Sequence, residues 1–480
     1  MRKKVLLLGA GPTNLATADK LLDTGNFDVE VIERLGWTGG LSQSVKHGPY
    51  TLDLGPHRFT PHNDTVYRYI KDICGDELRI VDQKVEIYLN GKFLTYPFKL
   101  ADVMLKLGLI KAGRIAVSFL ATGLSDNKHK PAANYEEWIR SRFGTEVLKL
   151  VFDPLISKIW SLPLTQLASR FAWQRIAISN LWEILFDTIR GKRKTEYSSP
   201  YYPQNCFLYP KRGFGSIIDG MTERIKQKGG VFHLNATVSG IDHRDGLVHT
   251  VRAENAGVSR EFKADYVVST LPVNLLPTML TPTVTDPAIS AAAERLRFRR
   301  LILLFLVIRK DRVSPNTSYY FPEKEFPFGR TSEMKNHSPD CVPSTSQEPR
   351  TVFTLEVPCW AEDTTWKEPD SSIFERCMQS LWPTGIIHRD EVVEYFTVRL
   401  GHVYPVWDID FEKNLETVLT AARPLENLIM NGRPGLFFYN NFHQSLEMGF
   451  IAADHIISGK SKAEKWDKDA ELFREYRLVE

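Results

Sequence analysis

The run Val5-Leu-Leu-Leu-Gly-Ala-Gly-Pro-Thr-Asn14 constrains this chain more than any other stretch. Four apolar residues before a glycine turn predict a buried strand, and Gly9 and Gly11 carry the chain tightly into a helix that begins near Thr13. Glycines here leave no Cβ between the backbone and a pyrophosphate. The helix N-terminus turns N–H groups and a positive dipole end toward the same anion. A second strand follows over residues 29–33. Glu33 ends it, about twenty residues beyond the glycines, where a carboxylate can take both hydroxyls of an adenosine ribose. Gly39-Gly40-Leu41-Ser42 offers a second place for backbone to approach a cofactor. The third fingerprint position is Asn14, not glycine. The structural alternative is a βαβ unit that binds nothing, but such a unit has no packing need for glycine pairs and a terminal acid.

A chain of 480 residues predicts two or three domains. Its 43% hydrophobic and 25% charged residues are those of an ordinary soluble globular protein. A net charge of +3, evenly spread, argues against a nucleic-acid partner. Cys74, Cys206, Cys341, Cys359 and Cys377 are far apart and form no CxxC, so they read as reduced thiols rather than as disulfides or metal ligands. No targeting peptide is visible. The most apolar stretch, residues 101–124, is interrupted by Lys106, Lys111 and Arg114, so no membrane span is expected, and nothing in the sequence speaks for docking on a membrane surface. A cytoplasmic protein without a metal is the expectation.

Further along, residues 50–59 read as a short strand running into a Gly55-Pro56 turn that carries His57 and Arg58. A helix is expected over 63–74, and Asn90-Gly91 between apolar runs predicts a hairpin. Residues 100–189 are helical in pattern and carry Trp160, Arg170 and Arg175. Residues 190–205 read as a polar loop whose basic run is a solvated face. Strand–turn–helix signals at 207–215 and 435–444 return the chain to its first domain, and strands dominate 297–403. The fold class is therefore α/β. A discontinuous Rossmann-like dinucleotide-binding domain (1–98, 205–285 and 425–460) surrounds a helical insertion (99–204) and a sheet-based substrate domain (286–424), with a charged peripheral tail (461–480).

A split Rossmann domain that opens on a glycine turn and closes on a glycine–asparagine strand-to-helix segment resembles the amine oxidase and protoporphyrinogen oxidase flavoproteins. Gly55-Pro56-His57 with Phe59, and Ile87-Tyr88 followed by Tyr96-Pro97-Phe98, are similar to the early motifs of UDP-galactopyranose mutases. Lys158-Ile159-Trp160 and Gln174-Arg175-Ile176 resemble that family's Trp and Arg helix. Phe328-Gly-Arg330-Thr-Ser-Glu333 resembles its arginine loop, Tyr404-Pro405-Val406 its tyrosine loop, and Arg433 to His443-Gln444 its terminal flavin motif. The motifs stand in the family's order over nearly the whole chain. The resemblance implies an FAD enzyme that interconverts the pyranose and furanose forms of a nucleotide-diphosphate hexose, UDP-galactose-like, with no net redox. The route it implies is a sugar adduct at N5 of reduced FAD, with NAD(P)H as an available reductant. A homodimer is compatible with it. The rival reading is an FAD-dependent oxidase or desaturase of the amine oxidase/protoporphyrinogen oxidase type.

On this resemblance Arg175 and Arg330 flank the sugar diphosphate, whose charge grows as it leaves. Their structural alternative is an ion pair, with Glu333 the nearby acid for Arg330; Arg170 is the substitute for Arg175 if the helix register differs. Tyr404 donates its hydroxyl to a phosphate, and Trp160 stacks near the nucleotide or sugar, against the alternative of helix packing. Lys99 adds a substrate contact where bacterial mutases carry asparagine. His57 sits beside the isoalloxazine ring and need be neither acid nor base. Arg433 pairs with the FAD pyrophosphate, and Asn440 and Asn441 orient the flavin edge, with helix capping as their alternative. The remaining implied cofactor contacts are Pro12, Thr13, Asn14, Arg34, Gly40, Leu41, Ser42, Gly55, Pro56, Arg58, Val238, Thr270, His443, Gln444 and Ser445.

Overall fold

The computed structural model describes residues 2–96, 105–106, 108–123, 131–176, 199–343 and 348–478. Strand β1 (Lys3–Leu8) enters helix α1 (Pro12–Asp23), which returns through β2 (Phe27–Ile32). These begin a five-stranded parallel sheet in the order Leu428–Met430, Tyr266–Ser269, β1, β2, Val231–His233. Val5, Leu6, Leu7 and Leu8 are fully buried, as a parallel strand covered on both faces requires. The last long helix, Phe442–Ser458, packs on α1 at backbone contact: a Cβ at Gly449 would lie 2.2 Å from the Thr13 carbonyl oxygen. Segments more than 400 residues apart thus close one layer.

A seven-stranded mixed sheet stands beside it, in the order Val392–Pro405, Phe298–Ile308, Thr351–Cys359, Arg330–Glu333, Ser318–Tyr320, Val85–Leu89, Lys92–Tyr96. The Asn90-Gly91 hairpin forms, but it joins this sheet and not the five-stranded parallel one, through parallel pairing of Ser318 with Val85 and Tyr320 with Ile87. The hairpin is a local signal; its partner strand lies over 200 residues away and leaves no local trace. The helical layer comprises Leu109–Gly123, Tyr135–Phe143, Asp153–Trp160 and Ser169–Arg175. Lys99, Pro97 and Phe98, and most of the polar loop, lie outside the described residues.

The tail corrects another expectation. Trp466, Phe473 and Leu478 are 3, 2 and 1% exposed, and the Leu478 N–H donates to the Gln174 carbonyl at 2.8 Å. Apolar residues spaced widely among charges were enough to seat it. Among the described residues no helix is long and apolar enough to cross a membrane.

Candidate functional site

Gly11 caps α1 without any side-chain bond, and a Cβ added there would meet nothing within 4 Å. A Cβ at Gly40 would approach the Gly11 Cα at 3.9 Å. The two glycine turns therefore face each other around open space at a helix N-terminus, a cradle with the donor set and room for a pyrophosphate. Pro12 and Leu41 are half-buried at its rim, and Ser42 is buried. Gly9 is glycine for a different reason. Its φ is +95°, and a Cβ would lie 2.5 Å from Thr270 Oγ1.

Asn14 and Thr270 brace that turn, and Thr13 opens the helix behind it. Asn14 is fully buried, and its amide donates to the carbonyls of Gly9 (2.9 Å) and Leu8 (3.0 Å). The Thr270 hydroxyl donates to the Leu8 carbonyl at 2.9 Å, and the buried Thr13 gives its carbonyl to Thr17. Asn14 thus fixes by hydrogen bonds what a third glycine would permit by close approach. Glu33 ends β2 as expected, with its carboxylate accepting from the Ala10 and Leu35 N–H groups, both at 2.9 Å. The Ala236 N–H donates to the Glu33 carbonyl, which brings half-buried Val238 beside it, while Arg34 points to solvent.

A second cluster is aromatic and cationic. Tyr404, at the end of its strand, stacks on Tyr439 with centroids 5.6 Å apart and 23° between planes. Trp160 meets both edge-on, at 5.9 and 6.1 Å, and Phe171 at 4.8 Å. The Arg175 guanidinium lies 5.1 Å from the Tyr439 centroid, and that of Arg433 lies 5.2 Å from it. Arg330 begins a strand rather than occupying a turn, directly opposite Glu356. Their pairing is bidentate, Nε to Oε1 at 2.6 Å and Nη2 to Oε2 at 3.0 Å. Glu333 is not its partner, because that carboxylate takes the Val313 and Ser314 N–H groups and the Thr351 hydroxyl. Lys158 pins the helix ending in Trp160 to the loop before Arg330, donating to the carbonyls of Phe321 (2.5 Å) and Phe328 (3.3 Å). Burial pushes its ammonium down to about 7.

His57 stacks on Phe214 at 5.0 Å, and its Nδ1 is sealed without a partner. Burial, then the charges of Arg433 and Arg330, push its pKa down to about 3, so the ring stays neutral at working pH. The Trp160 indole N–H is likewise buried and unpartnered. Arg58 lies over the Phe207 ring at 5.4 Å.

Other expected site residues serve the fold. Arg170 pairs with Glu412, donates to the Arg474 carbonyl at 3.2 Å and lies over Trp407, which removes it as a substitute for Arg175. Asn440 is fully buried, donating to Ser445 Oγ at 2.9 Å and accepting from Arg433 Nε at 3.3 Å, so it orients Arg433. Asn441 caps the last helix in a capping box with Gln444, whose amide also holds the Arg477 carbonyl. His443 is 2% exposed and edge-on to His62.

Three residues of the site escaped sequence reading: Glu356, Tyr439 and His337. Glu356, a lone acid inside the apolar strand 351–359, carried the one usable signal, since a buried carboxylate demands a partner. His337 is 4% exposed, with Nδ1 donating to the Glu333 carbonyl at 3.2 Å and Nε2 unpartnered. Among the described residues no group of three His, Cys, Asp or Glu side chains could hold a metal ion.

Residues 15–465 match the family of flavin containing amine oxidoreductases. Coproporphyrinogen III oxidase of Staphylococcus aureus is 25% identical over 262 residues, 50% of this chain and 55% of that one. The chloroplastic protoporphyrinogen oxidase of Nicotiana tabacum is 22% identical over 173 residues, 36% and 31% of the two chains. The chain thus spans about half the length, or less, of these relatives. Among solved structures, reduced UDP-galactopyranose mutase superposes with a TM-score of 0.79 over 95% of this chain and 94% of that one, at 21% identity. A redesigned putrescine oxidase does so with 0.62 over 96% and 99%, at 15% identity.

Proposed function

Because the chain belongs to the flavin containing amine oxidoreductases, a family whose cofactor is FAD, we propose that the Gly11–Gly40 cradle holds the FAD pyrophosphate and that the aromatic–cationic cluster binds a nucleotide-diphosphate hexose for pyranose–furanose interconversion without net redox. The open space where a Cβ would stand at Gly11, and Glu33 at the end of β2, fit the cofactor. The observation that carries the substrate class is the convergence of Arg175, Arg433 and Arg330 on the Tyr404–Tyr439 stack. Reduced FAD, when bound, supplies the nucleophile this chemistry needs, and NAD(P)H is a reductant compatible with it. Arg175 and Arg330 hold the diphosphate as its charge grows. Glu356 fixes the plane of the Arg330 fork. The Tyr404 hydroxyl, held protonated by burial and then by the charge of Glu356, donates to a phosphate. Trp160 offers its unpartnered indole N–H to the ligand, and neutral His57 positions without titrating.

A second reading, an oxidase or desaturase, is favoured by the porphyrinogen oxidase relatives and by the pairing of Arg330 with an acid. Two measurements decide between the readings. The purified protein is expected to bind FAD tightly and non-covalently, and Gly11→Trp, which fills the cradle, to abolish binding while leaving the fold intact. With the flavin reduced, UDP-, GDP- and dTDP-hexoses are then screened for furanose product. Furanose from the reduced enzyme supports the mutase. Peroxide release on an amine or porphyrinogen, with no furanose, replaces it by the oxidase. A protein that takes up no FAD on titration overturns both.

A further inference from the structure

An α-helix leaves its last four carbonyls without partners inside the helix. A helix shorter than about 12 residues also cannot hold itself together in water, so neighbours must fix it. The helix Ser169–Arg175, seven residues long, meets both conditions and ends on Arg175. The carbonyls at stake are those of Ala172, Trp173, Gln174 and Arg175. The Ala172 carbonyl accepts from the Ile176 N–H at 3.0 Å. The next two are taken by residues 304 positions further along the chain. Arg477 Nη1 donates to the Trp173 carbonyl, and the Leu478 N–H donates to the Gln174 carbonyl at 2.8 Å. The Arg477 guanidinium also lies 3.3 Å from the centroid of the Trp173 ring. It brings a positive charge to the negative end of the helix.

This cap is itself anchored. Phe473 and Leu478 are buried. The Gln444 amide, in the capping box of the helix Phe442–Ser458, donates to the Arg477 carbonyl at 2.7 Å. Near the other end of the short helix, Arg170 Nη2 donates to the Arg474 carbonyl at 3.2 Å. Residues 474–478 therefore touch both ends of the short helix and the start of the last long one.

The bonds continue into the candidate site. Gln174 is 2% exposed, and its side-chain amide donates to the Tyr439 carbonyl at 2.8 Å. Its main-chain carbonyl is the one that Leu478 caps. Arg175 is the next residue, with its guanidinium 5.4 Å from the Phe171 centroid as well as over Tyr439. A guanidinium on a long stem keeps its place only if its Cα does. Misplacing a group that holds substrate by about 1 Å can cost about a hundredfold in rate. We propose that Arg477 and Leu478 are positioning residues, which cap the helix Ser169–Arg175 from outside it and thereby hold Arg175 over Tyr439. That Arg175 so held meets a diphosphate rests on the function proposed above.

Hydrogen exchange and UDP binding, both measured on the full-length protein with FAD added, test this. In Arg477→Ala the amides of residues 173–176 are expected to exchange roughly tenfold faster, while those of the helix Phe442–Ser458 keep their rates. Arg477→Lys still has a charged donor for the Trp173 carbonyl and should recover most of the protection. UDP affinity should fall about fivefold in Arg477→Ala and recover in part in Arg477→Lys. In an Arg175→Ala background, Arg477→Ala should have no further effect on UDP, because the group that the cap positions is gone. Unchanged exchange of the short helix in Arg477→Ala overturns the proposal. So does an equal loss of UDP affinity with and without Arg175, which would mean a general loosening of the fold. If the unmodified protein binds no UDP, the diphosphate reading falls, and the exchange rates alone decide whether the cap holds the helix.

Discussion

Arg330→Ala is expected to lower turnover per bound flavin by about 30- to 1,000-fold, the usual cost of removing one charge-assisted contact to a departing anion, about 2–4 kcal/mol of barrier. It is also expected to cost stability, because Glu356 beneath it is 7% exposed and loses both of its bonds. Breaking a buried pair by removing one partner typically costs about 3–5 kcal/mol. The two effects separate in a small set of variants. Arg330→Lys keeps the charge and most of the stability, yet a point charge cannot replace the planar fork, so turnover should recover only in part. Replacing both partners, Arg330→Met with Glu356→Met, removes the uncompensated carboxylate and should restore the melting temperature without restoring turnover. Turnover normalised to bound FAD, beside the melting temperature of each variant, reads both quantities. Near-normal turnover per flavin in the double variant would show that the pair serves the fold alone.

The parts of this molecule that were legible in the sequence are those written in contiguous residues. The strand–glycine–helix turn, Glu33 at the end of β2 and the Asn90-Gly91 hairpin are each specified by a few neighbours in the chain. The order of short motifs likewise pointed to a flavoprotein family, and the family match over residues 15–465 bears that out at the level of the flavin fold. Pairings set by the sheet were not legible. The choice of Glu356 over Glu333 as the partner of Arg330 depends on which strand lies opposite, and only the register Arg330↔Glu356 decides it. The contacts of Asn440 were not legible for a related reason. An asparagine before a helix can serve a ligand or the backbone, and its Arg433 and Ser445 contacts appear only after the helix has been placed. The hairpin's destination and the seating of Leu478 on Gln174 belong to the same class, since both are contacts between segments hundreds of residues apart.

Acidification below about pH 6.5 is expected to draw stability out of the fold through three histidines. Burial pushes His443 down to about 3, with His62 adding to it. Burial, then Arg433 and Arg330, do the same for His57, and burial, then Arg58 and Arg330, hold His337 at about 4. In the unfolded chain each titrates at its ordinary value of 6.5. Between that pH and the folded values the unfolded state binds more protons, so stability is fully present above about pH 6.5 and falls as the pH drops. The slope is about 1.4 kcal/mol per pH unit for each histidine. Asp53 works in the opposite sense. Burial outweighs its bonds from Ser44, Tyr209 and Phe214 and raises it to about 6, so it takes up a proton in the folded state first and offsets roughly one histidine below that pH. Total stability against pH therefore mixes the two signs, and a difference isolates one group. The loss of stability in His443→Gln should be greatest at neutral pH and shrink by about 1.4 kcal/mol for each unit of acidification between pH 6 and 4. Urea unfolding of both proteins at several pH values measures it. Parallel profiles would mean that the His443 ring is protonated in the native state, and that its burial beside His62 does not hold it neutral.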